Sequence, residues 1–551
     1  MTTGHPFPAH AFPLPRSAFR YGRTGPWPQP AADQPMFMAA EVMHLPKAEQ
    51  KHWDWTVRLN YLKAMLTKTP LALYNWFIHG RIDHLSDAEC AWMLTTTCYA
   101  KYLRRRTAAD LAGSDFAAHL GPLDPAREYL ISDFTTMQDL TPYPGMFVAP
   151  TIVLYGRATS AKDYQLLAIS IGHLQGEHWQ HLVMTPADGH AWTLSKYYAV
   201  QGAAHMTSLS GHPATHFPYD TVNAITVSAI PTAHTLFKLL APHLELHLAV
   251  DHAVLEGGDS IVSERHGEFY APYVCDGTNI RQLVPTGYIG YPNPLSKYQP
   301  SDTPGPNYQP WRYPKAAPSI PTDYGRFLAE YYETVRGFVR DVIAPLAQDD
   351  EGPVDPLVQA SVKDKATREA LAAGPAGARL QREEERFYIR RWAHYIAQIL
   401  PGFPDEDAIL APGAPGDPYP NLVAALTTYI WDVGIAHGLE HNAYYKLGPH
   451  RTGFRVRIPP PAGRDIPAFR RRDVLHGWDM FKSTLAFEMF FRPHIVTHLL
   501  DADYPFDDPA RQAAAARFKQ ALRATEQRLA AQGVNLDQYA RLDELASSIQ
   551  Y

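Results

Sequence analysis

Apolar residues recur three and four positions apart through most of the chain, the spacing that puts them on one face of an α-helix. Over 49–102 the stripe includes Trp55, Leu59, Leu62, Met65 and Leu66. A second helical stretch over 192–255 is interrupted at Gly211-His212-Pro213 and at Pro231, where proline lacks a backbone donor and forces a bulge or a break. Long helices are predicted over 323–347, 382–399, 421–445, 473–499 and 509–532. Two short strand-like runs, 151–155 and 166–170, flank a polar turn and read as a hairpin. The expected fold class is therefore mostly α, one large helical domain over 41–551 with a minor β-hairpin element. Residues 1–40 form a Pro-rich N-terminal arm laid over a surface or a disordered tail, since proline at that density blocks helix and sheet pairing. A Pro-rich stretch over 292–321 is expected to wrap the surface, and another over 401–420 precedes a strongly apolar helix. No internal repeat is visible.

Composition narrows the function classes. Hydrophobic residues make up 46% of the 551, with 31 Tyr, 23 Phe and 11 Trp, enough for a large buried core. The formal charge is -6 and basic runs stay as short as Arg104-Arg105-Arg106, which argues against a nucleic-acid partner. Cys90, Cys98 and Cys275 build neither a disulfide framework nor a Cys-rich metal site. The N-terminus lacks the apolar centre of a signal peptide, and no transmembrane segment is read from the sequence, so a cytoplasmic location is expected.

The 26 histidines carry the chemistry. Two histidines four apart on a helix project from one face about 6 Å apart, which suits two ligands on one ion. Four such pairs occur: His212/His216, His243/His247, His437/His441 and His494/His498. Context favours His437 and His441, whose helix carries Leu422, Val423, Leu426, Ile430, Val433 and Ile435 and enters a dry core. The alternative is a pair of core histidines bonded to neighbours such as Asp432 or Glu440. His205, His212 and His216 crowd the Gly211/Pro213 irregularity, and irregular helical turns often mark sites.

Four ordered segments resemble the lipoxygenase catalytic domain, over about residues 140–551. Thr185-Pro186-Ala187-Asp188, followed by Trp192 and Lys196-Tyr197, is similar to the family's "TPAD...W.LAK" lead into its first ligand helix. His216 to His243, with Asp220, Ile230-Pro231, His234, Phe237-Lys238-Leu239-Leu240 and Pro242, is similar without a gap to "H...E...LP..HP.FKLL.PH". Trp431, His437 and His441 resemble "W..S..H...N", with Gly434 in the Ser slot. Phe518, Leu522, Leu529 and the terminal Ser547-Ser548-Ile549-Gln550-Tyr551 resemble the closing helix and its "NSISI" end.

The resemblance implies a metal set of His212, His216, His437, His441 and the main-chain carboxylate of Tyr551. The gapless match expects the partner of His216 at Gly211; His212 takes that role through a one-residue deletion in the turn carrying Pro213, and four-apart spacing needs no widened turn. His205 lies seven residues earlier, about 10.5 Å in a straight helix, and is expected to be a core or supporting histidine. Three departures bear on the substrate: Tyr551 in place of an aliphatic residue, Asp220 in place of Glu, and no counterpart of "RQ...G.NP" near 134–144.

The implied activity is a non-haem iron dioxygenase that abstracts hydrogen from a doubly allylic carbon of a polyunsaturated fatty acid and inserts O2 to give a hydroperoxide. Iron is the expected cofactor, with manganese possible, and no side chain acts as a separate acid or base. Partners are a lipid or other apolar small molecule and O2; no N-terminal β-barrel lipid-binding domain is visible, and the oligomeric state is open. The alternatives are the same fold oxidising a non-fatty-acid biosynthetic substrate, and a metal-free scaffold. A zinc hydrolase on His212/His216 is disfavoured because Pro213, not Glu, follows His212.

Overall fold

The computed structural model describes residues 47–255, 272–280, 322–347, 375–399 and 403–551, apart from single positions 278 and 415, together with Leu45 and a two-residue strand pair at Tyr21–Gly22 and Glu41–Val42. The expected arm, most of it, and the Pro-rich run 292–321 lie outside the described residues.

Five strands form one antiparallel meander in chain order: β1 (Leu103–Arg106), β2 (Arg127–Asp133), β3 (Thr151–Ala158), β4 (Gln165–Gln175) and β5 (His178–Met184). The expected hairpin is thus its centre, β3–β4, with a register shift at Leu154/Tyr155. The β element is larger than alternation alone suggested because β1 is mostly arginine and β2 and β5 mix polar and apolar residues without clean alternation. One face feeds the main core through Val153, Tyr155, Ile169 and Ile171, and the other covers a small cluster with Leu111 and Phe116.

The sheet delivers the chain to the helical run that carries the first histidine pair. Thr185-Pro186-Ala187-Asp188 forms a capping box, the Asp188 carboxylate accepting from the Thr185 amide at 2.7 Å, with proline at the first turn where its missing donor costs nothing. Besides Asp87–Thr96 and several helices of four to six residues, the helices in chain order are α1 (Lys47–Trp53), α2 (Leu59–Ile78), α3 (Gly189–Met206), α4 (Pro213–Ala229), α5 (His247–Leu255), α6 (Asp323–Ile343), α7 (Pro375–Ile399), α8 (Pro420–Trp431), α9 (His437–Leu447), α10 (Gly477–Ala486) and α11 (Pro509–Ala531). The continuous helical run Pro420–Leu447 is long and apolar enough to cross a membrane by length and composition, contrary to the sequence reading, yet it is 94% buried inside the protein.

Two expectations are corrected. The helix predicted over 473–499 ends early: α10 passes into a π-turn at Phe487–Phe491, and Pro493 prevents continuation, so His494 and His498 share no helical face. The stripe Trp55, Leu59, Leu62, Met65 and Leu66 faces outward, while the inward face of α1–α2 is Trp53, Val57, Ala64, Ala72 and Asn75. Small residues sit inward because α2 lies closely against α10, which leaves no room for leucines there.

Several buried histidines are structural. His205 donates from Nδ1 to the Gln201 carbonyl at 2.9 Å and accepts the Val274 amide on Nε2 at 3.3 Å. His243 contacts the Ser547 carbonyl through Nδ1 at 2.6 Å and the Tyr504 hydroxyl at 2.9 Å, so the His243/His247 pair is split between different partners. Burial pulls both His205 and His243 down to about 4. Their unfolded value is near 6.5, so below that pH the unfolded chain binds protons that the fold refuses. Stability from this source is complete above about pH 6.5 and is lost as pH falls towards 4, about 3 kcal/mol for each histidine. Urea unfolding at a series of pH values should show this decline, and His243→Asn should make it shallower; an unchanged slope would remove His243 from the account.

Candidate metal centre

Two helical runs cross in the core, and each contains a π-turn immediately before a histidine pair. Thr207–Gly211 precedes His212 and His216, and Asp432–Ala436 precedes His437 and His441. A widened turn therefore does occur on the first run, against the sequence expectation, but upstream of the pair, so the two histidines keep ordinary four-apart spacing. In each run the extra residue shifts the phase of the helix that follows. Gly434 lies in the second π-turn, where an added Cβ would stand 3.3 Å from the Ala546 carbonyl and 3.4 Å from that of Ser547. The missing side chain at the family's Ser slot lets the C-terminal segment lie directly against this helix.

The four histidines meet: one ring nitrogen from each of His212, His216, His437 and His441 lies within 4.8 Å of the others. His212 Nε2 stands 2.8 Å from His216 Nε2 and 2.9 Å from His441 Nε2. Their Nδ1 atoms point to acceptors: Asp251 Oδ1 at 2.7 Å for His216, the Phe491 carbonyl at 3.2 Å for His441 and Glu440 Oε1 at 3.5 Å for His212. A ring whose Nδ1–H is donated outward presents a lone pair at Nε2. His216 and His441 thus aim two lone pairs at His212 Nε2, an arrangement that a cation among the three rings satisfies. His437 is fully buried and neither of its ring nitrogens has a hydrogen-bond partner, a cost of about 1–3 kcal/mol for the ring, part of which a metal on one nitrogen would relieve.

The electrostatics favour neutral rings. Burial and the neighbouring His216 bring His212 down to about 4, and burial with the other imidazoles holds His437 and His441 well below the usual range. Neutral imidazole is the ligating form. Behind the rings, burial alone would raise the Glu440 carboxyl, but Lys101 at 2.6 Å and the neighbouring His212 together outweigh it and hold the group below its usual value. Asp251 is likewise held far below the carboxylate range, its burial penalty overcome by His216 and His247, whose Nε2 is 3.1 Å from Oδ2. His247 also lies 3.3 Å from Asp220 Oδ1, which gives the shorter Asp220 a partner at the position where Glu was expected.

Sequence reading named Glu440 only as an alternative partner of core histidines and His247 only within a four-apart pair, and missed Lys101 and Asp251. Only the i, i+4 placement of His247 and Asp251 on α5 hinted at this supporting layer. Carboxylates behind ligand histidines typically tune metal affinity 10–100-fold. Asp251→Asn should therefore weaken metal binding by about that factor in a competitive chelator titration; unchanged affinity would reduce Asp251 to a packing role.

Tyr551 is 3% exposed and packs its ring against His437 (centroids 5.3 Å) and His441 (4.8 Å). Gly438 lies beside the Tyr551 hydroxyl, and a Cβ there would press on Leu545 at 3.0 Å while meeting that hydroxyl in ordinary contact at 3.8 Å. The hydroxyl is buried with no hydrogen-bond partner, and burial pushes its pKa up. An aromatic wall of Tyr444, Phe487 and Phe491 closes this side, with Tyr444 stacked on Phe487 at 5.3 Å. His205 stands apart from the cluster, as expected of a core histidine.

No family model matches the chain, and no curated protein does. Solved structures do. The manganese lipoxygenase of Gaeumannomyces graminis superimposes with a TM-score of 0.63 at 14% identity, covering 97% of this chain and 96% of that one. Coral 8R-lipoxygenase gives 0.61 at 14% identity over 97% and 79%. The Delta413-417:GS LOX variant in complex with arachidonate gives 0.63 at 15% identity over 97% and 80%. The fold is lipoxygenase-like, in agreement with the sequence resemblance.

Proposed function

We propose that the protein is a metal-dependent dioxygenase of the lipoxygenase type, converting a polyunsaturated fatty acid and O2 to a hydroperoxide. The observation that carries this reading is the convergence of the Nε2 atoms of His212, His216 and His441 beside a partnerless His437. The ligands are His212, His216, His437 and His441, completed by the main-chain carboxylate of Tyr551. A nitrogen and oxygen set without thiolate suits iron and also accommodates manganese. When bound, such an ion supplies the one-electron chemistry needed to take hydrogen from a doubly allylic carbon.

The chain's own groups do the rest. Asp251 and the Phe491 carbonyl fix His216 and His441 in the ligating tautomer, Glu440 faces His212, and burial favours the neutral form of His212, His437 and His441. Phe491 and Tyr551 offer an apolar border that suits a hydrocarbon and excludes water, so that positioning replaces acid–base catalysis. The arachidonate complex of a lipoxygenase of the same fold supports an apolar substrate.

One observation favours a second reading, oxidation of a substrate that is not a simple fatty acid. The partnerless hydroxyl of Tyr551, whose ring packs on His437 and His441, would find its hydrogen bond on a polar group that an acyl chain does not offer there. Elemental analysis of untagged protein, beside linoleate turnover followed at the conjugated-diene absorbance, separates the readings. About one iron or manganese per chain with diene formation supports the first. Metal without diene formation favours the second, and a protein that takes up no metal would overturn both.

A further inference from the structure

Ten of the thirteen large hydrophobic side chains exposed among the described residues fall between Trp55 and Phe77. Such concentration on one helix is not the scatter of single apolar residues found on ordinary surfaces. Leu59, Leu62, Leu66, Leu73 and Phe77 follow one another at spacings of three, four, seven and four, which places them on one stripe of α2. The stripe lies opposite the inward face of Ala64, Ala72 and Asn75. Aromatic residues extend the patch: Trp76 meets Trp478 at 5.4 Å and Phe481 at 6.0 Å, and those two rings stack at 5.0 Å.

The charge around this stripe runs against that of the protein. Residues 47–81 hold six Lys and Arg and two Asp and Glu, a net of +4 in a chain whose total is -6. Lys47, Lys51, Lys63 and Arg81 are exposed. Apolar residues flanked by exposed bases, with Trp and Tyr at their edges, are what an anionic lipid interface selects. A second copy of the chain fits less well, because a two-fold contact through α2 would set +4 against +4.

We propose that the outer face of α1–α2 is a docking surface for an anionic phospholipid bilayer, lying in the interface plane without spanning it. The surface is close to the metal centre. Tyr61, from the flank of α2, packs on Phe490 at 5.5 Å; the adjacent Phe491 lies 6.3 Å from His441. Docking would thus bring the histidine cluster to within one layer of aromatic side chains of the lipid phase. The purpose of that placement rests on the lipid reading above, whereas the docking itself is read from the surface alone.

The test is co-sedimentation of the full chain with phosphatidylcholine vesicles, with and without phosphatidylglycerol, for wild type and Leu62→Glu/Leu66→Glu. These side chains are exposed and outside the site, so melting temperature and metal content should stay at wild-type values. Binding should require the anionic lipid, weaken with added salt, and fall by more than about tenfold in the variant. Equal binding to neutral and anionic vesicles, or undiminished binding by the variant, overturns the proposal. So does analytical ultracentrifugation showing a wild-type dimer that the variant dissociates, since the face would then belong to a subunit interface. Turnover of dispersed free fatty acid should be unaffected by the substitutions, so loss of docking and failure of the dioxygenase reading give different results.

Discussion

Replacing His437 by leucine should abolish metal binding and oxygenation while stabilising the metal-free protein. The two effects have opposite signs because the residue has no role in the fold except as a ligand. Its ring is fully buried, both nitrogens lack partners, and burial with the surrounding imidazoles keeps it neutral. A leucine of similar size removes two unsatisfied polar atoms, a gain of about 1–3 kcal/mol in urea unfolding of chelator-treated protein. Holo protein should show the reverse order, because only wild type gains from bound metal. A metal-loaded His437→Leu protein with wild-type turnover would exclude His437 from the ligand set. A large loss of stability in the metal-free variant would show that the ring does make a structural contact.

The second large effect is expected at Tyr551. The closing segment is threaded through the core: residues 545–550 are fully buried and Tyr551 is 3% exposed. Ser547 donates its amide to the Thr497 carbonyl at 2.9 Å, and the Gln550 side-chain carbonyl accepts the amides of Val496 and Thr497 at 2.8 and 3.0 Å. These bonds fix Tyr551 against His437 and His441. A chain extended by a short tag after Tyr551 has to force polar backbone into this packed region or withdraw the segment. Metal occupancy should then fall to a small fraction of wild type, with activity falling in proportion. Converting only the terminal carboxylate to the amide keeps the packing and removes the proposed oxygen ligand. That variant should lose metal while retaining its melting temperature in the metal-free form; full occupancy would reject the carboxylate as a ligand.

Much of the architecture was legible along the chain because long helices announce themselves by periodicity. The runs 323–347 and 509–532 appear as α6 with its 3-10 extension and as α11, nearly at the expected boundaries. The proline interruptions near 213 and 231 were local signals and proved local in origin. His212, His216, His437 and His441 were also identified in advance, since four-apart histidines on apolar helices leave a spacing that can be counted, and the resemblance then singled out these two pairs from four.

Tertiary structure decided everything that depends on which surface meets which. Periodicity revealed that α2 has an apolar stripe, but direction is set by the neighbour, and α10 approaches so closely that only Ala64, Ala72 and Asn75 fit inward. The π-turns before each histidine pair arise where a helix must be rephased to bring its histidines to a shared point, a demand that no single segment encodes. Lys101, Glu440, His247 and Asp251 come from three separate helical or 3-10 segments, so their support of the imidazoles appears only once those segments pack. Spacing within one helix is a property of the chain itself, readable from its order; tautomer, charge state and the side of a helix that faces water belong to contacts between segments distant in that order.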